Sequence, residues 1–232
     1  PYPDREVIDV SARGVLFDAG DVLIGPINGR WNPRYDFEQI LSRHVPDVSA
    51  DSFPAAFAAG QRVLDAAQAT ASRTEYHRAI LHALGIDRPG TALLAELEQP
   101  AAGLPVAVFP DVRRVLERLR MDGVPMAVVS DSWPDLEDLF RRLDLHEFFQ
   151  TFVISAVLGC RKPDPRMYRA GSDGLGLPPR ECVFIDDDPE LVAAAIDLGY
   201  QAMTLIRDPN PPTTTTTPRI ASLDDLIAIV GR

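Results

Sequence analysis

The stretch GVLFDAGDVLI, Gly14 to Ile24, decides how this chain is read. Gly14 to Phe17 form a short apolar run with no polar alternation, the pattern of a strand buried on both faces. The run ends on a carboxylate, Asp18, and a second acid, Asp21, follows at +3 after Ala19 and Gly20. A buried strand that stops on an acid delivers that acid to the edge of a sheet. The question is what else arrives there.

Working outward, the same kind of run recurs. PMAVVS reaches Ser130, and TFVIS, CVFID and QAMTLI read as three further strands. Between them lie helix-period segments. DVRRVLERLRMDG puts Val112, Val115, Leu116 and Leu119 on one face, with Asp111 as N-cap and Gly123 as stop. DLEDLFRRLDL repeats the pattern with Leu136, Leu139, Phe140 and Leu143, and PELVAAAIDLG begins on Pro189, behind Asp188 as N-cap, and ends at Gly199. Strands alternating with helices predict an α/β fold, a Rossmann-like three-layer core with a parallel sheet. In such sheets the ligand site lies beyond the carboxyl ends of the strands.

The interval between the first two strands breaks this rhythm. From about Gly25 to Pro105 the segments DFEQILSRHV, TEYHRAILHALG and the Ala-rich DSFPAAFAAGQRVLDAAQAT have helical spacing, and no strand is evident. A βαβ connection needs far fewer residues. The spacing therefore predicts a small α-helical cap domain over 25–105, with 1–24 and 106–232 forming the core domain. RDPNPPTTTTTPRIAS, rich in proline and with five consecutive threonines, reads as a loop or exposed extended segment without chemistry.

Composition narrows the functional classes. The chain has 232 residues, 46% of them hydrophobic, enough for a large core. Lys+Arg 23 against Asp+Glu 34 gives −11, which argues against a nucleic-acid backbone or an anionic membrane as partner. Cys160 and Cys182 lack CxxC spacing and read as small buried residues. No apolar run approaches the ~20 residues that span a bilayer, and PYPDREVIDVSARG has no apolar signal core. A cytoplasmic setting is expected, with the oligomeric state, monomer or homodimer, open.

The strand ends carry Asp18, Ser130 and the trio Asp186, Asp187 and Asp188, with Lys162 in GCRKPDPRMY after the third strand. Singly, each has a plain structural reading: a turn former, a hydroxyl bonded to local backbone, a solvated charge. Together, acids gathered at one pole repel and raise one another's pKa. A divalent cation resolves that conflict, and hard carboxylate oxygens suit Mg²⁺.

FDAGDVLI, VVSDSWPDLEDLF, GCRKPDPRMYRAG and FIDDDPELVAAAIDLGY resemble, in order, the four motifs of the haloacid dehalogenase-like hydrolase superfamily, and the helical insert looks like the cap of its subfamily I. The resemblance covers nearly the whole chain. It implies a Mg²⁺-dependent phosphatase acting on a small phosphorylated metabolite. Asp18 would be the nucleophile that forms an aspartyl-phosphate. Ser130, with the N–H groups after it (Asp131 onward), and Lys162 would hold the phosphoryl group. Asp18, Asp187 and the carbonyl of Gly20 would ligate the metal, with Asp186 close by.

Two departures stand out. Position +2 from the nucleophile is usually the acid that protonates the leaving group; here it is Gly20. Asp21 is then either a substitute acid/base or a turn or metal-edge residue. His44, His77, His82 or Glu75 of the insert are other candidate donors. In the fourth motif Leu191 stands where an Asn or Asp often follows. Just after the first motif, Arg30, Trp31, Arg34 and Tyr35 are candidate entrance residues, the two arginines as binders of a second anionic group or as solvated surface charges. Two rival readings follow: a catalytically weak phosphate-binding or regulatory protein, supported by Gly20, and a 2-haloacid dehalogenase, opposed by the triple Asp at 186–188.

Overall fold

The computed structural model describes residues 12–99, 103–208 and 216–230. β1 (Gly14–Phe17) is wholly buried, as its unbroken apolar run requires. A tight turn leads to β2 (Ile24–Pro26) and then to four helices, α1 (Phe37–His44), α2 (Phe53–Ala66), α3 (Arg73–Ala83) and α4 (Thr91–Glu98). The chain returns through β3 (Val106–Val108) and alternates α5 (Val112–Met121), β4 (Met126–Ser130), α6 (Leu136–Arg142), β5 (Thr151–Ile154), α7 (Ser155–Leu158), α8 (Pro165–Gly174), β6 (Cys182–Asp186), α9 (Pro189–Asp197) and β7 (Gln201–Leu205). β8 (Arg219–Ile220) and α10 (Asp224–Ile227) complete the described elements.

Six strands form one parallel sheet in the order β5-β4-β1-β6-β7-β8. Each face carries its own apolar cluster. Val115, Leu116, Leu119 and Phe140 pack on one side, and Met167, Tyr168, Val192 and Ala195 on the other. The expected three-layer α/β core is therefore present. Its helices start and stop where the sequence signals. Asp188 caps α9 by accepting from the Glu190 N–H at 2.8 Å, with Pro189 in the first turn. Gly123 and Gly199 follow their helices at φ +73° and +88°.

Asp111 stands at the N-cap position of α5, as expected, but its side chain makes no capping hydrogen bond there. Its carboxylate instead accepts from the Leu223 N–H at 2.9 Å, the Ser222 hydroxyl at 3.0 Å and the Arg207 guanidinium at 3.0 Å, tying the C-terminal segment to the core.

The helices of the insert bury a separate cluster built on Phe37, Ile40, Leu41, Tyr76, Ile80, Leu81, Leu93 and Leu97. α3 opens with a reciprocal capping box between Ser72 and Glu75. Contrary to the strand-free expectation, the chain leaves and re-enters the core through an antiparallel ribbon, β2 with β3. Three residues per strand are too few to show a period of two. β8 is likewise unexpected: Arg219 and Ile220, in the segment read as a loop, pair with Thr204 and Leu205. Most of its proline-threonine run, 209–215, lies outside the described residues, as do 1–11. Among the described residues no helix is long and apolar enough to cross a membrane. Cys160 and Cys182 are buried free thiols.

Candidate active site

The sheet order makes β4, β1 and β6 neighbours, so their carboxyl ends bring Ser130, Asp18 and Asp186 together. Asp18 follows β1 directly, its N–H donating to the Ile185 carbonyl at 2.9 Å. Lys162, only 4% exposed, reaches both acids: its Nζ donates to Asp18 Oδ1 at 2.7 Å and to Asp186 Oδ2 at 2.6 Å. Burial alone would push the ammonium's pKa down, but the Asp18 and Asp186 charges outweigh it and hold Lys162 protonated.

One lysine does not balance the acids. Burial, opposed by Lys162 and reinforced by Asp18, pushes Asp186 up to about 6. Asp187 sits at the cleft mouth with an exposed side chain; the protein packed about its carboxyl, then the charges of Asp18, Asp186 and Asp21, push it up to about 7. Oxygens of Asp18, Asp186 and Asp187 lie within 4.8 Å of one another. This is a set of hard oxygen donors with excess negative charge, and it fits a small divalent cation such as Mg²⁺. Gly20 brings a carbonyl oxygen that accepts from the Val22 N–H at 2.6 Å and retains a second lone pair.

The turn after β1 fixes how Asp21 is held at the cleft. It adopts φ +53°, a left-handed conformation that aspartate tolerates in turns. Its Oδ2 accepts the Trp31 indole N–H at 2.8 Å. Asp21 is thus a turn residue that anchors a tryptophan, and it stands outside the three-carboxylate cluster. Asp131 is also turned inward: its Oδ1 accepts from the Lys162 backbone N–H at 3.0 Å and fixes the loop that carries the lysine.

Arg30 and Arg34 line the cleft, but both guanidinium groups are engaged within the insert. Arg30 forks onto Glu38 at 2.7 and 2.6 Å and lies 4.7 Å above the Phe57 ring. Arg34 pairs with Asp36 at 2.5 and 2.8 Å and donates to the carbonyls of Glu96, Leu97 and Gln99 at the end of α4. They are neither solvated surface charges nor vacant anion receptors. They are struts, and α4, which sequence periodicity did not single out, is what Arg34 holds.

Of the insert's proposed proton donors only His77 lines the cleft. His44 pairs with Glu96, His82 with Asp87, and Glu75 with Ser72. His77 is 2% exposed and stacks on Phe37, its Nδ1 3.5 Å from Glu98 Oε1. Burial drives its pKa down to about 4, so the ring is neutral near pH 7. Sequence reasoning missed how the insert is fastened to the core. Trp133 packs on the insert's apolar cluster and donates to the Ala71 carbonyl at 2.9 Å, Arg73 forks onto Asp135 at 2.8 and 3.0 Å, and Arg161 donates to the Leu64 carbonyl at 3.0 Å. No periodic signal marks such contacts, since they join segments far apart in sequence. Between the two units lies a cavity of about 570 Å³ with Asp18, Lys162 and Asp187 on the sheet side and Trp31, Tyr35 and His77 on the other.

An α/β sheet that ends on a carboxylate held by a buried lysine, beneath a helical insert, defines a class of hydrolases. The chain belongs to the haloacid dehalogenase-like hydrolases, whose family model matches residues 12–199. It is 31% identical over 101 residues to Phosphatase MT3486 of Mycobacterium tuberculosis, a match covering 43% of this chain and 46% of that protein. It is 27% identical over 108 residues to (S)-2-haloacid dehalogenase 4A of Burkholderia cepacia, covering 46% and 47%. The chain thus matches somewhat under half the length of these curated relatives. Among solved structures, the 2-haloacid dehalogenase of Pseudomonas syringae pv. Tomato DC3000 shares the fold over 94% of this chain and 97% of that one, with TM-score 0.65 and 20% identity. A fold common to both chemistries does not choose between them; the site must.

Proposed function

We propose that the protein is a Mg²⁺-dependent phosphatase of a small phosphomonoester, with Asp18 as nucleophile. The observation that carries this reading is the surplus of carboxylate at the strand ends: three acids with oxygens within 4.8 Å, served by one ammonium. A displacement at carbon by a single carboxylate has no use for that surplus, which weighs against the dehalogenase reading. Asp18, Asp187 and the Gly20 carbonyl would hold the ion, with Asp186 beside them. Bound there, Mg²⁺ supplies the charge neutralisation that phosphoryl transfer mainly requires.

Lys162 fixes Asp18 Oδ1, leaving Oδ2 to form the O–P bond while the bond to the leaving oxygen breaks. Ser130 donates to a phosphoryl oxygen, and Lys162 steadies the charge as it moves. Water then cleaves the aspartyl-phosphate and releases orthophosphate. In this reading the helical segment 25–105 acts as a cap domain that selects the substrate, on a core of 1–24 and 106–232, in a cytoplasmic monomer or homodimer; the two unpaired, buried thiols suit a reducing compartment.

A second reading, a phosphate-binding protein with feeble turnover, has one observation in its favour. Gly20 offers no side chain, and the adjacent Asp21 carboxylate accepts a hydrogen bond from Trp31. One set of assays separates the possibilities. Turnover of p-nitrophenyl phosphate should require Mg²⁺ and fall at least about 10³-fold in Asp18→Asn. Metal-independent chloride release from 2-chloropropionate would replace this reading with the dehalogenase. Phosphate binding without turnover would leave the binding protein.

A further inference from the structure

The first-motif turn holds a feature that the proposed chemistry does not use. Gly20 stands beside the nucleophile, and the space where its side chain would project is bounded by Trp31. A Cβ built on Gly20 would lie 3.3 Å from Trp31 Cζ2, 3.6 Å from Trp31 Cε2 and 3.7 Å from Asp18 Oδ2. A side chain at position 20 would therefore meet both the indole and Asp18 Oδ2, the oxygen not bonded to Lys162. The indole is also held in place, its N–H donating at 2.8 Å to Oδ2 of Asp21, a turn residue locked at φ +53°. Yet the side chain is not packed away: Trp31 remains 39% exposed and lines the cavity, together with Ile24, Pro26, Val106 and Leu139.

We infer that Trp31 is a specificity residue, a pinned aromatic shelf that stacks the leaving group of an aryl phosphate monoester. The inference rests on the phosphatase reading and narrows its substrate class. A flat ring on the exposed part of the indole buries apolar area inside the cavity that Asp18 also lines, in the offset or edge-on arrangement aromatic pairs favour. The chemistry agrees. Asp18 attacks phosphorus, the P–O bond to the ring oxygen breaks, and the aryloxide leaves with the electron pair. It is stabilised by the ring and protonated afterwards by water, so no side-chain acid is needed at Gly20. An alkoxide lacks that stabilisation and would need one.

The test compares kcat/KM for phenyl phosphate and ethyl phosphate with Mg²⁺ present, in the wild type, Trp31→Ala, Trp31→Phe and Asp21→Ala. The phenyl-to-ethyl ratio should fall about tenfold in Trp31→Ala, mainly through KM for the phenyl ester, as loss of one stacked aromatic pair implies. Trp31→Phe should keep the ratio within about threefold, because a ring remains. Asp21→Ala, which frees the indole, should fall between. Trp31 is a partly exposed residue, so Trp31→Ala is expected to fold, and circular dichroism checks this. A ratio unmoved by Trp31→Ala while both esters are still hydrolysed overturns the shelf and leaves the phosphatase standing. No turnover of either ester by the wild type overturns the phosphatase reading itself, and the shelf with it.

Discussion

On the sheet side of the cleft one buried ammonium, Lys162, faces Asp18 and Asp186 at 2.7 and 2.6 Å, with Asp187 beside them. On the helical side Arg30 and Arg34 meet Glu38 and Asp36, carboxylates of their own segment, and Arg73 meets Asp135 across the join. The first wall keeps an excess of negative charge of the kind that a bound cation would offset. The second has matched its charges internally and turns aromatic and apolar surface to the cavity. Like charges held together at a strand end destabilise the fold, so their retention belongs to function. Matched pairs carry no such signature; they belong to architecture. On the phosphatase reading, the core wall serves reaction and the helical wall shape.

The largest effect should follow from unbalancing the first wall further. Lys162→Met leaves Asp18 and Asp186 facing each other without a counter-charge. Breaking a buried pair in this way costs roughly 3 kcal/mol or more. Urea denaturation at pH 7.5 should show that loss, and phosphatase activity should drop at least about 10³-fold. Activity within tenfold of the wild type would mean that the ammonium is structural only.

His77 breaks the comparison from the other side, as a titratable group buried in the helical wall. Glu98, Arg73 and Arg34 face it, and burial wins, holding its pKa at about 4 against an ordinary 6.5. The folded state therefore excludes the imidazolium. Stability is full above pH 6.5 and declines as the pH falls towards 4, because the unfolded chain takes up a proton that the fold refuses. Between pH 7.5 and 4.5 the wild type should lose roughly 2 kcal/mol more than His77→Gln, read from paired urea titrations. Equal losses in the two proteins would show that Glu98 compensates for the burial.

Arg34 sharpens the claim that the helical wall lacks receptors for anions. Arg34→Ala removes the pair with Asp36 and the bonds to the α4 carbonyls, and should cost about 2 kcal/mol of stability. KM for p-nitrophenyl phosphate should move less than about threefold. A rise of about a hundredfold would return Arg34 to the role of anion binder.

How much of this was legible in sequence follows from the same division. The strand ends were readable because a parallel sheet forces chain order into spatial order: runs ending on Asp18, Ser130 and Asp186 must converge. α9 was readable through Asp188 and Pro189, local signals with a local cause. The arginines were not. Whether a guanidinium is vacant depends on which carbonyls α4 presents 62 to 65 residues away, and nothing near Arg34 records that. Asp111 was placed correctly at the N-cap of α5, but where its carboxylate bonds was not legible, because Ser222 and Leu223 are more remote still. The Asp21–Trp31 bond spans only ten residues, but it exists because Asp21 enters a left-handed turn, and Asp-Val gives no such cue. β2 and β3 are too short for any periodicity to register.

The smallest expected effect probes the point where the two walls meet. Gly20 does not adopt a positive φ, so its backbone accepts an L side chain. The obstacle is the 3.3 Å approach to Trp31 Cζ2, closer than ordinary van der Waals contact, and a partly exposed indole can yield the few tenths of an ångström required. Gly20→Asp should then supply a proton to a departing alkoxide. General acid help is worth 10²–10⁴-fold where it is well placed. With the indole displaced and the carboxyl imperfectly aimed, about a tenfold gain in kcat/KM is expected for ethyl phosphate. For p-nitrophenyl phosphate the gain should stay under about threefold, because its phenolate leaves without a proton. The double variant with Trp31→Ala removes the steric conflict and should raise the ethyl ester's gain further. If both esters gain equally, the added carboxylate acts on the ion or the nucleophile and not on the leaving group. If neither gains even without the indole, the missing side chain at position 20 is not what limits this enzyme on alkyl esters.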